Sequence, residues 1–157
     1  NLRCSFCFAE GGGGEDIPFD VIRKRLQALA VLDADGYVRI TGRRSDVINR
    51  GGEKISPTEI ERVLLGHPGV RSAAVVAMPD EVMGQRACAY LVARGDAERL
   101  DVAALGEYFV GLGIAKFKIP ERVEYLDELP LTPSGKVAKG SLRRAIASEC
   151  AAAVAVG

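Results

Sequence analysis

Two glycine-containing loops carry basic residues in arrangements that suit chemistry on anions. In the first, residues 131–139 (LTPSGKVAK), a proline, a serine and a glycine lead to a single lysine, Lys136, just before a helical pattern. A lysine on a shaped loop can stabilise negative charge that develops on an anion during a reaction. A phosphate-cradling P-loop is excluded, because Pro130 stands where that motif needs glycine and Val137 where it needs serine or threonine. The alternative interpretation is a solvated surface lysine.

The second loop, residues 42–54 (GRRSDVINRGGEK), combines a glycine pair with several cations. Gly51 and Gly52 would let backbone approach a ligand without obstruction by side chains. Three cations surround that approach: Arg43, Arg50 and Lys54. Such a surface suits phosphate, because arginine binds it bidentately and lysine acts as a point charge. A glycine-rich hairpin turn with solvated charges explains the same residues equally well.

Composition excludes several classes of function. The chain has 157 residues, 48% of them hydrophobic, which suits one domain of ordinary size or one domain with an appendage. Lysine plus arginine and aspartate plus glutamate balance at 21 each, which argues against a nucleic-acid platform. The absence of Trp also disfavours a surface for base stacking. No apolar run of about 18 residues is present, so no membrane span is predicted.

The cysteines predict neither a metal site nor disulfides. Cys4 and Cys7 have the spacing of metal ligands, but no second pair exists and His67 is the only histidine. His67 lies at a predicted helix end, where a solvated side chain is expected rather than a catalytic one. The N-terminal residues lack the pattern of a secretory signal. We therefore expect reduced thiols, no bound metal and a cytoplasmic location.

Local patterns predict a small α+β domain with helices packed on a mainly antiparallel sheet. The glycine run at 11–16 is interpreted as a linker. Ser56, Pro57 and Glu59 predict a capped helix start, and Asp101 predicts the N-cap of another helix. The predicted strands are 37–42, paired as a ribbon with 45–49, then 71–79, 86–94 and 121–126. The predicted helices are 18–30, one within 56–70, one after 101 and one at 139–150. In the last two helices the residues predicted to face inward are Val102, Leu105, Phe109 and Leu112, and Leu142, Ala145 and Ile146, respectively.

Three separated segments resemble one known domain. They are GRRSDVINRGGEKISPTEIE, AAVVAMPDEVMGQRACAYLV and KFKIPERVEYLDELPLTPSGKVAK. Together they resemble the C-terminal lid domain of the adenylate-forming ligases, in register from about Asp33 to Ile146. That superfamily comprises acyl- and aryl-CoA synthetases, aryl-acid AMP ligases, adenylation domains of nonribosomal peptide synthetases, and firefly luciferase. RGGEKI and GLGIAKFKIPERVE look most like the stand-alone aryl-acid AMP ligases of siderophore pathways, which activate salicylate or 2,3-dihydroxybenzoate.

The resemblance implies a role for each candidate residue. Lys136 would enter the active site of a large N-terminal domain and contact the substrate carboxylate and nucleotide oxygens. Arg43 would approach the ribose and phosphates, and Lys54 would lie near phosphate. The glycine pair, Gly51 and Gly52, would line the passage of a pantetheine thiol. Ser45 stands at the hinge position, where relatives carry Asp or Lys.

The resemblance also implies a division of the chain and a set of partners. Residues 1–31 would be an N-terminal segment of unclear origin with a glycine-rich linker, 32–150 the lid domain preceded by a β-ribbon, and 151–157 a tail. A YRTGD-like segment of relatives is replaced by LQALAVL, and the chain begins without Met, so we expect a domain of a longer enzyme. Expected partners are the large domain, ATP with Mg2+, a carboxylic acid, and the pantetheine thiol of a carrier protein or CoA. The alternatives are an acyl- or aryl-CoA synthetase and, from another class, a non-catalytic module that docks a carrier protein.

Overall fold

The computed structural model describes residues 28–32 and 38–154. The chain divides into two compact units, residues 1–45 and 46–157. Cys4, Cys7, the glycine run at 11–16 and most of the predicted 18–30 helix lie outside the described residues. The predicted domain boundary near residue 31 stays a prediction.

In the first unit, β1 (Ala28–Leu32) pairs antiparallel with β2 (Val38–Arg43). The predicted helix is therefore wrong for residues 28–30, which belong to a strand. An apolar run such as ALAVL fits the spacing of a buried helix segment as well as that of a strand, and the hydrogen bonds to β2 decide between them. The predicted strand at 37–42 is confirmed, but its predicted partner at 45–49 is wrong. Residues 44–46 form a 3-10 turn instead.

The second unit is built on a five-stranded sheet. Its strands are β3 (Ile48–Arg50), β4 (Glu53–Ile55), β5 (Val70–Asp80), β6 (Gly84–Ala93) and β7 (Arg122–Tyr125). The order β4-β3-β6-β5 is antiparallel throughout, and β7 adds to β6 in parallel. Strand β6 is the central strand, because it pairs with β3, β5 and β7. Its pairing with β5 is the longest of the three. The α+β class with a mostly antiparallel sheet is confirmed.

Three helices cover the sheet: α1 (Pro57–Leu65), α2 (Val102–Gly111) and α3 (Lys139–Val154). Successive side chains of a strand point to opposite faces, so the sheet has two apolar faces. One carries α1 and α2 and buries Ile48, Ile55, Ile60, Leu64, Val70, Val75, Ala87, Ala89, Leu91, Leu105 and Phe109. The other carries α3 and buries Ala74, Val76, Cys88, Tyr90, Leu142 and Ile146. No helix within the described ranges has the length and apolar character needed to cross a membrane.

Of the two predicted helix caps, the structure confirms the one at α2 and contradicts the one at α1. Asp101 caps α2 as predicted, because its Oδ1 accepts a hydrogen bond from Ala104 N at 2.8 Å. The predicted capping box of α1 is wrong: the Ser56 side chain makes no capping hydrogen bond, and Glu59 Oε1 pairs with Lys118 Nζ at 2.6 Å. An ion pair to a distant lysine has replaced the local reciprocal bond.

Three residues predicted to face inward are exposed instead. Val102 is 42% exposed and Leu112 is 54% exposed, because they stand at the two ends of α2, beyond the part that covers the sheet. Ala145 is exposed on α3, where Leu142 and Ile146 alone make the predicted contact. Helical spacing predicts a stripe, but the width of the supporting sheet decides how much of that stripe is buried.

Candidate active-site loops

The loop that carries Lys136 is a compact hairpin held by its own hydrogen bonds. Leu131 and Val137 form an antiparallel bridge across it. Thr132 N donates to Lys136 O at 2.7 Å, and Lys136 N donates to Thr132 Oγ1 at 3.2 Å. Gly135 has a φ of +76°, which an L side chain rarely adopts, and its N–H donates to Thr132 O at 2.9 Å. The glycine therefore allows the tight turn that presents the next residue.

The side chain of Lys136 is exposed and has no ion pair within the described part of the chain. Two basic residues that follow Lys136 in the sequence do form ion pairs: Lys139 pairs with Glu61, and Arg143 pairs with Asp46. Ala138 N donates to Pro130 O at 2.7 Å, which closes the base of the hairpin where α3 begins. The hairpin therefore presents an exposed ammonium on a hydrogen-bonded support, which suits an electrostatic contact with an external anion.

The glycine pair forms the turn between β3 and β4. Gly51 and Gly52 have φ values of +55° and +102°, so both adopt backbone conformations that favour glycine. Gly51 N donates to Met83 O at 2.9 Å, and a Cβ at Gly51 would lie 2.9 Å from Met83 Sδ. A Cβ at Gly52 would meet nothing within 4 Å. Gly51 is thus fixed against a neighbouring turn, whereas the outer side of Gly52 is open.

The cations predicted around this turn differ in their environments. Lys54 is exposed on β4. Arg50 is partly buried and engages Glu121 with two hydrogen bonds, Nε to Oε2 at 3.1 Å and Nη2 to Oε1 at 2.8 Å. The hydrogen-bonded carboxylate of Glu121 raises the pKa of the Arg50 guanidinium. The predicted cation at Arg50 therefore lies beside the glycine pair, but its guanidinium is paired with a carboxylate.

The residues that flank the two loops pack into different clusters of the sheet. The Gly51–Gly52 turn connects strands whose Ile48 and Ile55 are buried with α1 and α2. Val137, the residue after Lys136, packs against the cluster under α3. In β5, Val75 belongs to the first cluster and its neighbours Ala74 and Val76 to the second, which shows that these clusters lie on different sides. The residues that flank the two loops are therefore buried in different clusters.

Two predicted site residues belong to the first unit. Arg43 is exposed at the end of β2, and Ser45 is exposed in the 3-10 turn at 44–46 that leads into the second unit. Their position at the junction of the two units agrees with a hinge and a flanking cation, and their roles remain predictions.

Several charged residues that organise the two loops were not found from the sequence. Asp80 and Arg86 flank the β5–β6 turn, Glu121 precedes β7, and Glu61 lies on α1. Asp80 Oδ1 accepts hydrogen bonds from Val82 N and Met83 N, at 3.1 Å and 2.7 Å. The bond from Met83 is the main reason that the pKa of Asp80 is lowered. An aspartate at a turn is a local signal for such bonds, but nothing local marks Glu121.

Neither the described histidine nor the described cysteines form a reactive centre. His67 is half-buried, its Nδ1 accepts a hydrogen bond from Gly69 N at 3.1 Å, and its ring meets Tyr108 edge-on at 4.8 Å. The predicted helix-end role is supported, although the side chain is packed rather than solvated. Burial raises the pKa of the Cys88 thiol to about 12, which makes it inert near neutral pH. Over the described ranges no three potential metal ligands come together.

Comparisons with known proteins identify the class of domain to which this fold and its two loops belong. Residues 59–136 match the family model of the AMP-binding enzyme C-terminal domain. The chain belongs to this family, and the predicted membership of the adenylate-forming ligases is confirmed. The family is shared by aryl-acid AMP ligases and acyl-CoA synthetases.

Among its relatives, the chain is 49% identical over 124 residues to enterobactin synthase component E of Escherichia coli (strain K12), covering 79% of this chain and 23% of that protein. It is 44% identical over 118 residues to the 2,3-dihydroxybenzoate-AMP ligase of Bacillus subtilis (strain 168), covering 75% of this chain and 22% of that protein. A solved Mycobacterium tuberculosis fatty acyl CoA synthetase is 36% identical with a TM-score of 0.68, covering 80% of this chain and 24% of that one. The chain therefore spans less than a quarter of the length of these relatives.

Proposed function

We propose that the chain is the C-terminal lid domain of an ATP-dependent ligase that forms an aryl-adenylate and transfers the aryl group to a pantetheine thiol. The observation that carries the proposal is the exposed ammonium of Lys136, without an ion pair among the described residues, on a self-bonded hairpin whose Val137 packs under α3, whereas the strands of the Gly51–Gly52 turn pack under α1 and α2. One small domain can then serve two reaction steps, by presenting one face to the large domain in the first step and the other face in the second.

In the first step, a carboxylate oxygen of the acid forms a bond to the α-phosphorus of ATP while the bond to pyrophosphate breaks. Negative charge on the carboxylate and the phosphate is crowded in the transition state. A cation placed there lowers the barrier if it interacts more strongly with the transition state than with the substrates. Lys136 would supply that cation, and Mg2+ bound with ATP in the large domain would compensate the phosphates.

In the second step, the sulfur of the pantetheine thiol attacks the acyl carbon of the adenylate, and AMP leaves as the thioester forms. The open side of Gly52 would line the route of the pantetheine arm, since no side chain stands there. Lys54 and Arg43, both exposed, would lie near the phosphate and ribose. Ser45 would be the position about which the domain turns between the two steps.

The relatives support an aryl acid of siderophore synthesis as the substrate, because one of them is a 2,3-dihydroxybenzoate-AMP ligase at 44% identity. The acceptor would then be the pantetheine of an aryl carrier protein. The alternative is an acyl- or aryl-CoA synthetase, supported by the likeness to a fatty acyl CoA synthetase. The expected cytoplasmic location stays a prediction.

A domain exchange tests the proposal. Residues 46–154 would replace the matching part of the Escherichia coli relative, and ATP–pyrophosphate exchange and thioester formation would be measured with 2,3-dihydroxybenzoate. We expect both activities in the hybrid and neither in the 157-residue chain alone. Robust exchange by the chain alone, or a folded hybrid without either activity, would contradict the lid-domain assignment. The second result would favour the non-catalytic docking module.

The acceptor is decided by a competition in the same hybrid. Carrier protein bearing pantetheine and free CoA would be offered together, and the two thioesters separated by mass. Preferential loading of the carrier protein supports the aryl-acid AMP ligase. Preferential formation of the CoA thioester supports the synthetase alternative instead.

A further inference from the structure

A closed ring of polar contacts surrounds the base of the Gly51–Gly52 turn. Arg50, the residue before the glycine pair, binds Glu121 with both arms of its guanidinium. Arg86 Nη1 lies 3.3 Å from the same Glu121 Oε1, and Arg86 Nε lies 2.6 Å from Asp80 Oδ2. Glu121 is thus shared by two arginines that come from different strands.

Asp80 completes the ring through the β5–β6 turn. Its other oxygen, Oδ1, accepts hydrogen bonds from the backbone N–H groups of Val82 and Met83. The carbonyl of Met83 then accepts the hydrogen bond from Gly51 N at 2.9 Å. The contacts return to the residue beside Arg50, so the turn is held both at Arg50 and at Gly51.

Glu121 is fixed independently of the turn that it supports. Its backbone N–H donates to Ala87 O at 2.9 Å, at the point where β7 joins the central strand β6. Its side chain is 24% exposed, and that of Arg50 is 22% exposed, so water competes only partly for these bonds. A bidentate pair between partly buried groups restrains direction as well as distance.

We infer that Glu121 is a positioning residue for the thiol-transfer step, acting through Arg50 and Arg86 to hold the Gly51–Gly52 turn in the geometry that leaves the pantetheine passage open. This inference rests on the proposed function of the turn. Glu121 touches no substrate; it fixes the base of a short hairpin whose glycines would otherwise sample many backbone conformations. We expect adenylation not to depend on it, because the Lys136 loop is held by hydrogen bonds of its own.

The first test measures the turn itself in the 157-residue chain. Glu121→Gln keeps the size of the side chain but removes its charge, and amide hydrogen exchange would be followed at Gly51. We expect the Gly51 amide to exchange about tenfold faster than in the wild-type chain, because the substitution removes a charge-assisted hydrogen bond that holds the turn. Glu124→Gln is the matched control, since Glu124 lies three residues away, pairs with Arg122 at 2.6 Å and is outside the ring. Unchanged exchange at Gly51 in Glu121→Gln would overturn the inference.

The second test separates the two half-reactions in the hybrid enzyme. Glu121→Gln should slow thioester formation from synthetic adenylate about tenfold, while pyrophosphate release from acid and ATP stays unchanged. Arg50→Lys should give the same selective loss, because lysine cannot replace a bidentate fork. The double variant should be no worse than Glu121→Gln alone, as expected when Arg50 acts only through its contact with Glu121. Additive losses, or equal losses in both half-reactions, would show general damage and overturn the inference.

The outcomes also distinguish this inference from the proposed function. If Gly52→Val blocks thioester formation and Glu121→Gln does not slow it, the passage exists and Glu121 does not position it. If neither variant affects the thiol step, the proposed role of the turn itself fails.

Discussion

Lys139 Nζ lies 2.6 Å from Glu61 Oε1, and the same oxygen accepts a hydrogen bond from Val75 N at 2.7 Å. Lys139 is the first residue of α3 and follows Lys136 by three positions. Glu61 lies on α1, and Val75 lies on β5 at the edge of the sheet. One carboxylate therefore connects both helical layers at this edge and anchors the helix that carries the Lys136 hairpin.

Removing this carboxylate should destabilise the domain. Glu61→Ala leaves the N–H of the buried Val75 without a partner, so we expect the free energy of unfolding to fall by about 1–3 kcal/mol. Glu61→Gln should cost less, because its amide oxygen can still accept that bond. Urea unfolding of the chain measures both. Glu107→Ala, at an exposed position of α2, is the control and should stay within about 0.5 kcal/mol of wild type. Equal effects of the three substitutions would contradict the anchoring role.

Lys136→Ala in the hybrid enzyme should impair adenylation selectively. The transition state loses a placed cation, which is worth on the order of a hundredfold in rate. Thioester formation from synthetic adenylate should survive, because in the proposed function that step would use the Gly51–Gly52 turn instead of Lys136. Paired single-turnover assays, one from acid plus ATP and one from the adenylate, measure the two rates. Lys116→Ala removes an equally exposed lysine and should change neither rate. A parallel fall of both rates would refute the assignment of Lys136 to adenylation.

Gly52→Val should have the opposite selectivity. The branched side chain would occupy the open side of the turn, where a Cβ meets nothing within 4 Å, and obstruct the thiol. We expect thioester formation to fall far more than adenylate formation. Because Gly52 has a φ of +102°, backbone strain must be controlled. Gly113→Val introduces comparable strain at φ +72° in another open position, and should leave the ratio of the two half-reactions unchanged. The same ratio in both variants would indicate strain alone.

The two described cysteines should differ strongly in reactivity. With its pKa raised to about 12, the Cys88 thiol is ionised at pH 8 in only about one molecule in ten thousand. In a chain with serine at Cys4 and Cys7, a thiol reagent should label one residue, the partly exposed Cys150, and reach Cys88 only after unfolding. Mass spectrometry of the labelled chain identifies the site. Rapid labelling of a Cys150→Ser chain in the folded state would show that Cys88 is accessible.

Local sequence signals predicted those parts of the fold that neighbouring residues determine. Asp101 marks the start of α2 because an N-cap bond reaches only three residues along the chain. The continuous apolar runs in β5 and β6 predict buried strands for the same reason, since the pattern is contained within each segment. The Lys136 hairpin also follows from nearby residues, with Gly135 at its positive φ and Thr132 bonding across four positions.

The tertiary structure decided what depends on distant partners. The apolar run at 28–32 becomes a strand because β2 pairs with it, although its composition also suits a helix. Glu59 leaves its capping role because Lys118 approaches it, and Arg50 is paired because Glu121, 71 residues away, accepts hydrogen bonds from its Nε and Nη2. The sequence determined which residues are charged, which can form tight turns and which can cap a helix, because these properties belong to single residues and short segments. Only the packed sheet decided which charges are compensated and which residues share a buried cluster, because that depends on strands brought together from distant parts of the chain.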